Sequence, residues 1–340
     1  MSKKSSRNYE QYQKQAEQAQ RLLSKLPPKM RIVVTILGVI VLIAAAIWYY
    51  LPEIEYLLTP DFPPIADPVQ TPDGEEAEVY FFDVGQGDSI LIRVGEYTML
   101  IDASISSAGD TILQNLDALG VDDLDAVVAT HPHADHIGAM EKVIENVPIE
   151  TFYMPVLPAS DTPTTRTYEN MLDALDAQNV TVKQITDETQ IPAPEGAVFE
   201  VLSPYDGDDW DETNDYSAVI RFTYGNVSFM LTGDAEAPVE ERILETGADI
   251  RCQILKCGHH GSSSSTTPEF LRAVDPEVAI ISCAEVNDYG HPHRETMQSL
   301  NDLGCQIMQT WRDGTILIAT DGSTYSVNTW SVGAGRMPAA

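Results

Sequence analysis

The chain has 340 residues, 43% of them hydrophobic and 21% charged, with four Cys and seven His; this excludes a small disulfide-stapled scaffold and a disordered chain and leaves material for one or two sizeable cores. Lys plus Arg number 20 against 52 Asp plus Glu, a formal net charge of −32. Residues 1–31 hold eight basic side chains and two acidic ones, and the rest of the chain 12 against 50, so charge-driven binding of a polyanion such as DNA is disfavoured beyond the N-terminal tail.

Residues 32–51 are 20 consecutive uncharged positions. A helix of that length, rising about 1.5 Å per residue, crosses a hydrocarbon core about 30 Å thick. Lys25, Lys29 and Arg31 precede the run and Glu53 and Glu55 follow it, which predicts a single-pass cell-membrane helix, a cytoplasmic basic tail (1–31) and an extracytoplasmic remainder. The alternative is a signal peptide cleaved near Ala44-Ala45-Ala46; the long basic lead and the apolar residues after the alanines disfavour it. Residues 52–77 hold six Pro (Pro52, Pro60, Pro63, Pro64, Pro68, Pro72) among acidic residues and predict an extended linker.

From residue 78 short apolar runs alternate with helical spacings. Strands are predicted at 79–82, 89–94, 97–101, 126–129, 152–154, 198–202, 218–224, 227–231, 252–256, 278–281, 315–319 and 324–327. Helices are predicted at 111–119, 137–145, 168–177, 239–245, 268–274 and 295–303. Hairpins at both ends with alternating strand and helix between them imply a four-layer α/β/β/α sandwich over 78–330, followed by a tail (331–340).

All seven His fall in three clusters, His131/His133/His136, His259/His260 and His291/His293, each just after a predicted strand, where α/β proteins place their sites. Thr130-His131-Pro132-His133-Ala134-Asp135-His136 offers four ligand-type side chains on one strand-to-helix turn, able to converge on a metal without unfolding a regular element.

That motif, with Leu100-Ile101-Asp102 before it and Leu231-Thr232-Gly233-Asp234 after it, resembles the metallo-β-lactamase superfamily of metal-dependent hydrolases. The segments Phe82-Asp83-Val84-Gly85-Gln86-Gly87-Asp88-Ser89, Lys256-Cys257-Gly258-His259-His260-Gly261-Ser262 and Tyr289-Gly290-His291-Pro292 resemble the hydrolase domain of ComEC-type competence proteins, over about residues 78–330 and without their polytopic channel region. The resemblance implies one or two divalent cations, zinc or manganese, with His131 and His133 on the first, Asp135 and His136 on the second, and Asp234 bridging them. It implies His291 as the last ligand, leaving His259 and His260 to bind a substrate phosphate, protonate a leaving group or donate one further ligand. His293 is then exposed or a helix cap, and Asp102 fixes the tautomer of His131 or His133. Where superfamily members commonly carry a His about 20 residues before the bridging Asp, this chain has Asn214-Asp215; an oxygen ligand there shifts preference from zinc toward manganese or magnesium. Gln86, Asp88 and Ser89, on a Gly-rich turn, are read as substrate rim, and Asp135 or Asp234 as the carboxylate that orients the attacking water.

Cys252, Cys257, Cys283 and Cys305 allow up to two disulfides and fit buried thiols equally well. The function expected is a membrane-anchored phosphodiesterase or nuclease linked to DNA uptake. The alternatives are a hydrolase of another surface substrate, a teichoic acid or phospholipid head group, or a non-enzymatic docking module on the same fold. No protein partner is indicated.

Overall fold

The computed structural model describes residues 76–338, together with Pro27 and Met30. The expected membrane helix at 32–51, with most of the basic tail and linker, lies outside the described residues; among those described, no helix is long and apolar enough to cross a membrane.

The chain runs through β1 (Ala77–Phe81), β2 (Ile90–Val94) and β3 (Tyr97–Ile101), then α1 (Gly109–Ala118) and β4 (Leu124–Val128). Helices α2 (Ala134–Ile137) and α3 (Met140–Asn146), strand β5 (Ile149–Met154), helix α4 (Arg166–Ala177) and strand β6 (Thr181–Gln184) complete the first half. The second half opens with β7 (Ala197–Ser203), β8 (Val219–Tyr224) and β9 (Val227–Leu231), then α5 (Ala237–Glu245), β10 (Ile254–Lys256), α6 (Pro268–Val274) and β11 (Val278–Ile281). After α7 (Arg294–Leu303), β12 (Gln306–Gln309) and α8 (Thr310–Asp313), the chain returns through β13 (Thr315–Thr320), β14 (Tyr325–Ser331) and β15 (Gly335–Pro338).

Among the described residues the strands form two sheets, in the orders β15-β14-β13-β1-β2-β3-β4-β5-β6 and β12-β11-β10-β9-β8-β7. Both are antiparallel where hairpins connect neighbours and parallel where helices do, at β3-β4-β5-β6 and β9-β10-β11-β12. One apolar cluster joins the facing sides of the sheets, with Phe81, Ile92 and Ile318 from one and Phe222, Phe229 and Ile280 from the other. Two more bind the outer faces to helices, through Ile112, Met140 and Met171 on the first sheet and Val239, Phe270 and Leu300 on the second. The layers are therefore helix, sheet, sheet, helix. Phe222, stacked on Phe199 at 4.9 Å and tilted against Phe229 at 5.5 Å, sits in the middle layer, where truncation to Ala costs about 3–5 kcal/mol.

Local chemistry sets the helix ends. Thr165 and Thr267 accept hydrogen bonds from the Tyr168 and Phe270 amides at the starts of α4 and α6, and Pro268 stands in the first turn of α6. Gly304, at φ 82°, closes α7. The structure adds β6, β12, α8 and β15 to the predicted elements. Of the expected tail at 331–340, the described residues 331–338 supply the end of β14 and then β15, which pairs with β14 from Asn328↔Pro338 to Ser331↔Gly335.

Candidate metal centre

The ends of five strands converge on one site. Asp102 follows β3, the His131–His136 turn follows β4, Asp234 follows β9, His259 and His260 follow β10, and His291 ends a loop after β11. β3 and β4 run parallel, as do β9, β10 and β11, so each group delivers its residues at carboxyl ends. Asp102, His259 and His260 have φ of 62°, 45° and 55°, a left-handed conformation costing about 1–3 kcal/mol at each non-glycine residue, which the surrounding packing must offset.

Asp234 is the centre. Its carboxylate lies 3.2 Å from His136 Nε2, 3.4 Å from His260 Nε2, 3.8 Å from His259 Nε2 and 3.9 Å from His131 Nε2. Each of these rings is held from behind through Nδ1. His136 Nδ1 donates to Asp102 at 2.7 Å, His260 Nδ1 to the Ser282 carbonyl at 2.9 Å, and His259 Nδ1 to Glu236 at 2.8 Å. His131 Nδ1 meets Thr130 Oγ1 at 3.2 Å; that hydroxyl spends its proton on Asp102 and so accepts from the imidazole. In the neutral rings the proton therefore sits on Nδ1 and the lone pair on Nε2, toward Asp234, as in metal-ligating histidines. His131 Nε2 and Asp234 Oδ1 are buried without a hydrogen-bond partner, and Asp135 Oδ2 stands 3.3 Å from His260 Nε2. Imidazole and carboxylate donors converging in this way fit a divalent cation, or two sharing Asp234.

Electrostatics agree. Burial and the neighbouring His136 push His131 well below its usual pKa. Burial opposes charge on His136 as well, but the Asp234 and Asp102 carboxylates override it and raise His136 to about 10; His260 is raised by Asp234 and Asp135 against the same cost. Asp234 is held well below the usual carboxylate range by His136 and His260 despite its burial. The clustered carboxylates thus attract positive charge into a nearly dry site.

Residues 82–285 match the family model described as the Metallo-beta-lactamase superfamily. The chain belongs to the metallo-β-lactamase superfamily. It is 31% identical over 261 residues to ComE operon protein 3 of Bacillus subtilis (71% of this chain, 33% of that protein) and 29% identical over 243 residues to competence protein ComA of Neisseria gonorrhoeae (71% and 32%). It therefore spans about a third of the length of these relatives. The crystal structure of the metallo-beta-lactamase fold protein YhfI from Bacillus subtilis aligns with 68% of this chain and 96% of its own at 12% identity and a TM-score of 0.45. A metallo-β-lactamase fold carrying this buried Asp/His cluster is the framework of a metal-dependent hydrolase.

Within this metallo-β-lactamase site the expected residues take particular places. His133 is exposed, its ring edge-on to His131 at 4.7 Å between centroids. His260, expected to act on substrate, has its Nε2 among Asp234, Asp135 and His136. His291, expected as the last ligand, stands behind the His pair, its ring centroid 5.2 Å from His259 and 6.3 Å from His260. The reason is chain length: two residues separate Lys256, the end of β10, from His259, whereas a long loop after β11 holds His291 farther out. Asp102 supports His136, not His131 or His133. Asn214 Nδ2 donates to Glu236 at 3.0 Å, and its buried Oδ1 has no hydrogen-bond partner, which leaves an oxygen donor on the His259 side.

The rim reading of Asp88 and Ser89 fails: both are 1% exposed. Asp88 pairs with Lys256 Nζ at 2.7 Å and approaches His260 Nδ1 at 3.6 Å, and it joins His136, Asp234 and His260 in a buried group whose ligand-type atoms lie within 4.8 Å of one another. It neutralises a buried lysine and backs a ligand-type ring. Gln86 is half-buried, accepting from the Ala284 amide at 3.4 Å. The four cysteines are separate buried thiols rather than disulfides. His293 is half-buried at the N-cap of α7, its Nδ1 accepting from the Ser263 amide at 2.9 Å. Thr130, Ser217, Glu236 and Lys256 were not among the expected site residues. Thr130, which opens the His motif, Glu236, two positions after Asp234, and Lys256, which opens the His259-His260 segment, carried a local sequence signal; Ser217, whose Oγ meets His131 Nδ1 at 3.3 Å, did not.

Proposed function

We propose that this protein is a membrane-anchored phosphodiesterase using one or two divalent cations, zinc or manganese, with its hydrolase domain on the extracytoplasmic side. The observation that carries the hydrolase reading is the convergence of four imidazole Nε2 atoms on Asp234 within 3.9 Å. Bound there, a cation would acidify a water and neutralise charge developing on a phosphoryl oxygen. His131, His136, His260 and Asp234 are the buried holders, joined by His133, Asp135 and the Asn214 oxygen. Asp135, its side chain 22% exposed against 2% for Asp234, is the carboxylate that reaches solvent and is placed to orient the attacking water. His259, fixed by Glu236 through Nδ1 at the half-buried edge and facing Asp234 through Nε2, is assigned to a further ligand position or to contact with the substrate phosphate.

The phosphodiester choice is supported by the likeness to a protein named competence protein ComA, and the anchor by the uncharged run at 32–51. A net charge of −32 favours a second reading, a less charged surface phosphodiester such as a phospholipid head group, with a teichoic acid the other surface substrate of that class. The test is to strip the detergent-solubilised chain with EDTA, reload it with Mn²⁺ or Zn²⁺, and assay bis(p-nitrophenyl) phosphate, single-stranded DNA and glycerophosphodiesters. Turnover that His136→Ala abolishes is expected; a metal-loaded protein inert on all three contradicts the phosphodiester reading. Protease added to intact cells should digest residues 78–330, and full protection reverses the topology.

A further inference from the structure

The loop between β11 and α7 presents two apolar side chains to solvent beside the centre. Val286 is 87% exposed and Tyr289 63%, large values for residues whose backbone is firmly held. Asn287 braces the loop from inside: its Nδ2 donates to the Ala284 and His291 carbonyls at 3.1 and 2.7 Å, and its Oδ1 accepts from the Tyr289 and His291 amides at 3.2 and 3.0 Å. His293, whose Nδ1 accepts from the Ser263 amide, donates from Nε2 to the Tyr289 carbonyl at 3.2 Å. A braced loop spends no ordering entropy when a ligand settles on it.

One face of the Tyr289 ring stacks on His291, with centroids 5.6 Å apart and planes 22° from parallel, which leaves the other face open. His291 stands edge-on to His259, and His259 reaches Asp234, so the open ring lies one imidazole beyond the candidate ligands. His291 is itself 8% exposed, and its Nδ1 has no hydrogen-bond partner, an unspent polar atom directly behind the ring. The charged residues of the loop are Glu285 and Asp288, both exposed and both acidic. They disfavour a phosphate on the loop and leave a neutral flat surface as what it offers a ligand.

We propose that Tyr289, backed by His291 and flanked by Val286, is a stacking platform for an unpaired nucleobase of the substrate strand. The proposal deepens the phosphodiesterase reading and rests on it for where the strand's phosphate lies. Stacking acts through the ring face itself, so on this acidic surface the base contact is left to the aromatic ring and the phosphate to the cation held at the centre. A planar base fills an open aromatic face, whereas a glycerol phosphate or a lipid head group has no flat group to stack.

The experiment uses the metal-reloaded full chain in detergent and 5′-labelled single strands of equal length with cleavage-resistant methylphosphonate-capped ends and phosphorothioate linkages, one of thymidines and one of abasic residues, with binding read before turnover. Fluorescence anisotropy should show roughly tenfold tighter binding of the thymidine strand by the wild type, within the range of one stacked base. Tyr289→Ala should bind the two strands alike, and Tyr289→Phe should keep the preference. Equal binding by the wild type, no binding of either strand, or a preference that survives in Tyr289→Ala overturns the platform whatever the hydrolysis assay gives. A base preference that vanishes in Tyr289→Ala, in a protein that cleaves no phosphodiester when reloaded with metal, overturns the phosphodiesterase reading and leaves the platform standing.

Discussion

Lys256→Met isolates the ion pair behind the centre. Lys256 is fully buried and Asp88 is 1% exposed; the ammonium sits 2.7 Å from one carboxylate oxygen, and the other oxygen has no hydrogen-bond partner. Methionine replaces most of the stem's packing but removes the nearest cation from a buried carboxylate and leaves it only His260, at 3.6 Å, at a cost of about 3–5 kcal/mol. At about 2–4 °C per kcal/mol for a domain of this size, the unfolding midpoint should fall by about 6–20 °C. The assay is thermal unfolding of the metal-stripped chain by near-ultraviolet circular dichroism. Lys256→Met/Asp88→Leu, which removes both charges, should recover at least half of the loss. Burial alone would raise the Asp88 carboxyl, but Lys256 and His260 hold it below its usual value; burial alone would lower Lys256, but Asp88 raises it. The depressed acid stabilises the fold above its unfolded value of about 3.9 and the raised base below about 10.4, so the pair's contribution is intact between these limits and is lost outside them. A midpoint in Lys256→Met within about 2 °C of wild type, or a double variant as unstable as the single one, refutes this reasoning.

Two further outcomes follow from the same geometry. Because the Asp234 and Asp102 carboxylates raise His136 to about 10, its ring carries a proton at pH 7 in the stripped protein, so metal binding should release that proton and weaken as pH falls; calorimetric titration in buffers of different ionisation enthalpy measures this, and binding without proton release contradicts the assignment of this ring. Gly87, at φ 105°, passes beneath the metal-motif turn where a Cβ would overlap the Asp135 carbonyl, so Gly87→Ala should cost about 1–3 kcal/mol and displace Asp135, read as a lower midpoint together with reduced turnover.

Much of the fold was legible because burial leaves periodic marks. β7 alternates buried Ala197, Phe199 and Val201 with outward Val198 and Glu200, and β13, covered on both faces, reads as a continuous run. β6 left no such mark: all four of its residues are exposed, and it is held by backbone pairing to β5 at the sheet edge. β15 likewise rests on its ladder with β14. In the site, the clustering of His, Asp135 and Asp234 at strand ends was readable from spacing. The separate roles of His260 and His291 were not, since they depend on a left-handed turn that swings His260 inward and on a braced loop that holds His291 back. Asp88 looked like a rim residue because its turn is Gly-rich and polar; its partner Lys256 lies far away in sequence, and nothing local records that contact.

The most direct test of the centre is metal stoichiometry in the purified chain, measured by elemental analysis after reloading, for wild type and for Asp234→Ala, His260→Ala and His291→Ala, with circular dichroism confirming that each is folded. Wild type should hold one or two divalent ions per chain, Asp234→Ala and His260→Ala should lose most of them, and His291→Ala should retain them. Full occupancy in folded Asp234→Ala and His260→Ala, or loss confined to His291→Ala, would contradict a metal centre built around Asp234 and the four imidazoles that face it.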